Sequence, residues 1–249
     1  MIDRDVDIPT PHGSMTTFVT HPEEGGPFPV VLFYMDAPGK REELHDMARR
    51  LGTAGYYVML PNLYYRQARE FSVFSGDPGH TPERMWELMA SLDDGLVLSD
   101  TDALLGVVDA DPAADPDRVG CLGYCMSGPF SFAVACDRPE RIRAAASIYG
   151  IRLFGPGSPA DRAAAATAEL YFACAELDEW VPAEMVDGLE RYLAEVGAHA
   201  RVERYPGTHH GFACPGRGEA YDKQAAERHW ERLHGLFARN LGRADGPPQ

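Results

Sequence analysis

Residues 119–128 read VGCLGYCMSG, a short apolar strand that runs into a turn of small residues around Cys125. Where a strand turns sharply into a helix, only small neighbours such as Gly123 and Ser127 avoid a steric clash. The next residues, PFSFAVACD, suit a helix packed against a sheet. This strand, turn and helix would expose Cys125 at the carboxyl end of a central strand, where the N-terminus of the following helix favours the thiolate. The segment therefore predicts Cys125 as a catalytic nucleophile.

A buried, unreactive cysteine is the alternative interpretation of this segment. Small residues often surround a buried cysteine, and free cysteine is among the most buried residue types. The residues before the strand favour the nucleophile, because Asp115-Pro116-Asp117-Arg118 predicts a turn that bounds the strand.

Strands and helices alternate along the rest of the chain. Apolar runs predict strands at 16–20, 28–35, 56–60, 119–122, 144–149, 170–175 and 200–205, and helical periodicity predicts helices at 42–51, 92–109, 182–196 and 219–240. This alternation indicates an α/β fold with a mostly parallel central sheet and helices on both faces. Two irregular segments, 62–82 and 150–161, are long enough to be functional, and we expect them to wall a substrate pocket.

Composition limits the protein classes that need to be considered. The 249 residues suffice for one domain, 1–249. The first residues do not resemble a secretory leader, and no apolar run reaches the ~18 residues of a membrane span. We therefore expect a cytoplasmic protein without a membrane partner. We also expect it to be a monomer or a homodimer. The five cysteines lack paired spacing, which argues against disulfides and a metal site, and we expect no cofactor. A net charge of −15 argues against nucleic acid as a partner.

A cysteine nucleophile needs a base to take its proton and a third group to orient that base. Asp178 follows the predicted strand 170–175, and His210 follows the predicted strand 200–205. The order of nucleophile, acid and histidine, each after a strand, is that of α/β-hydrolases. The spacing thus predicts a catalytic triad of Cys125, Asp178 and His210.

The residues alone leave rivals for two of these positions. Glu176 and Glu179 flank Asp178, and His209 precedes His210. Each of these side chains could equally be a solvated loop residue.

From about Phe28 to the last helix, the sequence resembles the dienelactone hydrolases, or carboxymethylenebutenolidases, of the α/β-hydrolase superfamily. The resemblance rests on Gly-Tyr-Cys-Met-Ser-Gly at 123–128, Asp-x-x-Val-Pro at 178–182, His-Gly-Phe at 210–212 and Pro-Asn-Leu-Tyr at 61–64. It implies an ester or lactone hydrolase that forms a thioester on a cysteine, and it selects Asp178 and His210 over their neighbours.

The resemblance also implies an acidic residue after the first core strand that interacts with the resting thiol. Asp36 occupies this position, where a glutamate is usual in the family. An aspartate before Pro38 and Gly39 is also ordinary turn chemistry. The same segment implies an oxyanion hole formed by the backbone N–H groups of Met126 and Ala37.

Substrate contacts are where the sequence departs from the family pattern. Family members carry an arginine in a His-x-Phe-x-Arg motif that holds the substrate carboxylate, but this chain has Cys214 there. Arg217 and Arg84 could take over this contact, or they could be solvated surface residues. Aromatic residues near strand ends could line a pocket for a ring-containing ester or lactone. With Asp36 and the two arginines, the candidates for this pocket are Tyr64, Trp180 and Phe212.

The sequence is compatible with two other functions. A biosynthetic enzyme of the same fold could catalyse cyclisation, acyl transfer or isomerisation without net hydrolysis. A binding protein that has lost catalysis is the second alternative.

Overall fold

Eight strands form one sheet in the computed structural model, which describes residues 1–242. The strands are β1 (Ile2–Thr10), β2 (Gly13–His21), β3 (Phe28–Tyr34), β4 (Tyr57–Pro61), β5 (Ala114–Tyr124), β6 (Ile142–Ile148), β7 (Glu169–Leu177) and β8 (Ala200–His209). The helices are α1 (Glu42–Thr53), α2 (Pro82–Ala90), α3 (Asp94–Ala110), α4 (Gly128–Asp137), α5 (Ala183–Glu195) and α6 (Lys223–Leu241).

The strand order is β1-β2-β4-β3-β5-β6-β7-β8. All pairs from β4 to β8 are parallel, whereas β1 and β2 pair antiparallel at one edge. The predicted α/β fold with a mostly parallel sheet is therefore confirmed. The strand β5 lies between β3 and β6, near the middle of the sheet, and the predicted turn 115–118 is an irregularity within it.

Helices cover both faces of β5. The Cys121 thiol donates a hydrogen bond to the Ser131 carbonyl of α4, 3.3 Å away. A Cβ atom on the preceding residue, Gly120, would meet Phe237 and Leu241 of α6. Because successive residues of a strand point to opposite faces, α4 and α6 lie on opposite sides of the sheet.

Two elements lie outside the pattern predicted from the sequence. The strand β1 is an edge strand whose side chains are mostly exposed, so it carries no apolar run. The helix α2 begins at the end of the irregular segment 62–82. Its only buried residue is Leu88, so its sequence shows little of the apolar periodicity that predicts a helix. Local chemistry still starts the helix, because the Thr81 hydroxyl accepts a hydrogen bond from the Arg84 amide and Pro82 occupies the first turn.

None of the helices in residues 1–242 combines the length and the hydrophobicity needed to cross a membrane.

Gly123 lies where β5 enters the turn before α4, and no larger residue fits there. A Cβ atom at this position would lie 1.9 Å from the Ser127 carbonyl oxygen, so the backbone would have to move. Gly106 offers a matched contrast, because it is exposed within α3 and a Cβ there meets nothing within 4 Å.

We expect Gly123→Ala to lower the free energy of unfolding by about 3 kcal/mol, because overpacking forces the backbone apart. The control Gly106→Ala should raise it by about 1 kcal/mol, because alanine favours the helix over glycine. Urea denaturation of both variants measures the two changes. Equal stability of the two variants would contradict the tight turn described here.

Candidate active site

Cys125 begins the turn that joins β5 to α4, as the sequence pattern predicts. Its φ angle is 55°, in the left-handed region that residues other than glycine rarely adopt. Such a conformation costs free energy and persists only where the surrounding structure enforces it, which is common at functional sites. The side chain is 9% exposed, so the thiol lies at a surface cavity without being open to bulk water.

The other four cysteines are buried in the protein interior. Burial raises the pKa of Cys136, Cys174 and Cys214 to about 12, and it raises the pKa of Cys121 further. These thiols stay protonated near neutral pH and are poor nucleophiles.

Asp178 and His210 form a hydrogen-bonded pair at the carboxyl ends of two neighbouring strands. Asp178 directly follows β7, and His210 directly follows β8. The His210 Nδ1 atom lies 2.8 Å from Asp178 Oδ2, and the Trp180 amide donates to Asp178 Oδ1 over 2.9 Å. Both oxygens of this buried carboxylate therefore have partners, which fixes the orientation of the imidazole.

The alternative acids, Glu176 and Glu179, and the alternative histidine, His209, make other contacts or face solvent. Glu176 accepts a hydrogen bond from the Gly207 amide, 2.7 Å away, and so closes a turn in β8. Glu179 and His209 are exposed. None of the three contacts the Asp178–His210 pair through a hydrogen bond within residues 1–242.

The second imidazole nitrogen of His210, Nε2, is buried and has no hydrogen-bond partner within the described part of the chain. Burial opposes a positive charge on His210, but Asp178 and the nearby Cys125 thiol outweigh it and raise the pKa of His210 to about 9. The thiol thus lies close enough to act on His210, although it is outside hydrogen-bond geometry with Nε2. Apo structures often show such loose contacts between a nucleophile and its base.

Cys125 and His210 line one cavity of about 260 Å³, which we call the catalytic cavity. Its walls come mainly from loops at the carboxyl ends of strands and from α2, in agreement with the rule that parallel sheets bind ligands at this edge. The lining residues are Ala37, Pro38, Met85, Trp86, Met89, Cys125, Ile151, Arg152, Trp180, His210 and Arg217.

Two of the predicted pocket residues, Trp180 and Arg217, are in this lining. Trp180 is 52% exposed, and its ring packs against that of Trp86, with 5.5 Å between the centroids. Arg217 donates a hydrogen bond to Asp36 over 3.4 Å. Arg217 thus occupies the cavity wall although it lies three residues after the position where the family pattern has arginine.

Asp36 lies outside the lining and behind Arg217. Its fully buried carboxylate accepts hydrogen bonds from both terminal nitrogens of Arg41, at 2.6 and 3.1 Å. No hydrogen bond joins Asp36 to the Cys125 thiol within residues 1–242, which differs from the interaction that the family resemblance implies. The arginine pair draws the short aspartate side chain away, so Asp36 holds Arg217 in place.

The remaining three predicted pocket residues also lie outside the lining. The Tyr64 hydroxyl is buried behind the cavity and donates to the Ala37 carbonyl, 2.9 Å away, with the Met126 sulfur at 3.3 Å. Phe212 is fully buried and its ring packs on Tyr205. Arg84 is turned away, toward Glu87 and Gln67.

Arg152 and Trp86 line the cavity, although neither residue is predicted there from the sequence. Arg152 has a φ angle of 52°, and its guanidinium makes no ion pair or hydrogen bond within the described residues. It belongs to the irregular segment 150–161, but nothing in the sequence of that segment marks this arginine as a cavity residue. Trp86 sits on α2, which the sequence does not reveal as a helix.

Within residues 1–242, no group of three or more histidine, cysteine or acidic side chains is arranged to hold a metal ion.

Comparisons with known proteins show which family the chain resembles over most of its length. A model of the dienelactone hydrolase family matches residues 15–241. The "Putative carboxymethylenebutenolidase" of Methylorubrum extorquens is 29% identical over 95% of this chain and 81% of its own length. A protein of the same name from Synechocystis sp. is 27% identical over 95% of this chain and 96% of its own.

Solved structures show the same likeness. The crystal structure named "Putative Dienelactone Hydrolase from Klebsiella pneumoniae" is 26% identical to this chain, with a TM-score of 0.86, and the alignment covers 96% of this chain and 98% of that one. The family match extends over nearly all of the described residues, from β2 to the end of α6. The chain therefore belongs to the dienelactone hydrolase family.

Proposed function

We propose that this protein hydrolyses an ester or lactone through a thioester intermediate on Cys125. The observation that carries the proposal is the hydrogen-bonded Asp178–His210 pair, whose histidine lines the same cavity as Cys125 in a member of the dienelactone hydrolase family. A nucleophile, a base and a group that orients the base are the three components that acyl transfer of this kind requires.

The first step is attack by the sulfur of Cys125. With its pKa raised to about 9, His210 holds a proton near neutral pH, and we infer that this is the proton of the Cys125 thiol. The thiolate then attacks the substrate carbonyl, and a tetrahedral intermediate forms. When the bond to the leaving oxygen breaks, His210 protonates that oxygen and a thioester remains on Cys125.

Hydrolysis of the thioester completes the reaction. His210, now neutral, takes a proton from water, and the resulting hydroxide attacks the thioester carbonyl. Collapse of the second intermediate releases the carboxylic acid and returns the proton and the thiolate to the His210–Cys125 pair. Because thiolate is a good leaving group, its adducts with unactivated esters and amides revert. The mechanism therefore favours lactones and esters with stabilised leaving groups.

The negative oxygen of both intermediates needs hydrogen-bond donors, and we assign the backbone N–H groups of Met126 and Ala37. Met126 follows the nucleophile, and Ala37 lies in the loop after β3 and lines the catalytic cavity. Three hydrogen bonds support this arrangement. The Tyr64 hydroxyl contacts both residues, and the Ser127 hydroxyl donates to the Met35 carbonyl in the β3 loop over 2.5 Å. Each oxyanion donor typically contributes about 3 kcal/mol to transition-state stabilisation.

Cys125→Ala should abolish turnover of p-nitrophenyl acetate, because no other cysteine lines the catalytic cavity. Intact-mass measurement of the wild-type protein, quenched in acid during turnover, should show an acetyl adduct of about 42 Da that the variant lacks. Turnover by the variant at the wild-type rate would contradict the proposal.

The two adjacent histidines provide a matched control for the base. His210→Ala should lower kcat by about 10³-fold, because general acid and base catalysis is lost. His209→Ala removes an exposed ring of the same chemistry and should keep kcat within about threefold. The reverse order of the two effects would assign the base to His209.

The charge state of His210 predicts how stability depends on pH. The folded-state pKa of about 9 lies above the ordinary histidine value of 6.5, so folding favours the protonated ring. His210 then contributes its full stabilisation below about pH 6.5 and loses it as the pH rises through about 9. In wild type the proton that His210 gains is lost by the Cys125 thiol, and this loss offsets the pH dependence, so the comparison is made without the thiol. From pH 6 to pH 10, Cys125→Ala should lose up to about 3 kcal/mol more unfolding free energy than Cys125→Ala/His210→Gln, because Asp178 still favours the protonated ring. Urea denaturation at both pH values measures this difference, and equal losses would show that Asp178 does not hold a charge on His210.

A further inference from the structure

A second cavity, of about 790 Å³, adjoins the catalytic cavity, and we call it the side cavity. The two share Met89, Ile151, Arg152 and Trp180 as walls. Met126, the residue after the nucleophile, also lines the side cavity. A molecule whose carbonyl lies at Cys125 can therefore extend into the side cavity without leaving the site.

The walls of the side cavity are largely apolar. They include Leu92, Pro129, Phe130, Phe154 and Met185, in addition to the shared residues. These side chains come from the first turn of α4, the segment 150–161, the start of α5 and the residues before α3. Apolar surface of this kind favours an apolar ligand over water.

The acidic residues of the side cavity already have partners. The Asp93 side chain caps α3 by accepting a hydrogen bond from the Leu96 amide, 2.8 Å away. Asp94 forms an ion pair with Arg162 at 2.8 Å. Asp94 is thus already paired with a cation, and most of the lining is aliphatic or aromatic.

The two cavities differ in volume, so each can hold a different part of a substrate. The catalytic cavity, at about 260 Å³, is smaller than the ~300–1,000 Å³ of ordinary ligand pockets, whereas the side cavity is about three times larger. A small acyl or lactone group alone would leave the side cavity empty of substrate.

We infer that the substrate is an ester or lactone with a large apolar body, which occupies the side cavity while the reacting carbonyl lies at Cys125. This inference rests on the proposed hydrolase function and names the class of substrate. Arg152, which lines both cavities, lies at their junction.

Two series of esters test the inference with the full-length protein. The first series is p-nitrophenyl acetate, butyrate and octanoate, in which only the acyl chain grows. The second is a set of aryl acetates, in which only the alcohol side grows. Because each methylene that leaves water contributes about fourfold to binding, we expect kcat/KM to rise at least tenfold along one of the two series.

Met185→Trp fills the side cavity from α5 without changing the lining of the catalytic cavity. It should lower kcat/KM for the longest member of the preferred series at least tenfold more than for the shortest member of that series. Ala194→Trp places the same side chain at an exposed position of the same helix and should change neither value.

The outcomes separate the two proposals. If acetate esters are hydrolysed through Cys125 but neither series gains with size, the side cavity does not bind substrate and the inference is overturned. An equal loss for short and long esters in Met185→Trp overturns it as well, because it indicates damage to the fold or the site in general. If no ester is hydrolysed, or Cys125→Ala retains activity, the proposed function itself fails.

Discussion

The close contact between backbone segments at the turn after β5 is the constraint on which the site depends. A Cβ atom at Gly128 would lie 2.4 Å from the Gly150 Cα atom, and one at Gly123 would lie still closer to Ser127. With no room for side chains at these two positions, the chain reverses within a few residues and holds Cys125 at a φ angle of 55°. The fold thereby directs the sulfur into the catalytic cavity, beside the loops that follow the neighbouring strands.

Two buried carboxylates stabilise the loops around this turn in different ways. Asp178 orients His210, and burial of the pair strengthens their electrostatic interaction. Asp36 instead pairs with Arg41 and reaches Arg217, so it fixes a cation in the cavity wall. An uncompensated buried charge is costly, and each of these carboxylates is compensated within residues 1–242. Asp178 therefore belongs to the proposed catalytic pair, whereas Asp36 belongs to a structural cluster of charges.

The fold could be predicted where the sequence carries apolar runs, because buried parallel strands have no polar face. The close placement of Asp178 and His210 followed from the same rule, since the ends of parallel strands meet at one edge. Loop geometry could not be predicted in this way. The pairing of Asp36 with Arg41, the burial of Tyr64 behind the cavity and the place of Arg152 in its wall all depend on contacts between segments far apart in sequence. The exposed strand β1 and helix α2 lacked the apolar periodicity on which such predictions rest.

The account centres on Cys125 as the single reactive thiol, and alkylation of the native protein tests this most directly. Iodoacetamide at pH 7.5, followed by peptide mapping, reports the rate at which each of the five cysteines is modified. The account predicts rapid modification of Cys125 alone, because the other four are buried with raised pKa values. Replacement of His210 by alanine should slow that reaction at least tenfold. Modification of another cysteine first, or no modification of Cys125, would contradict it.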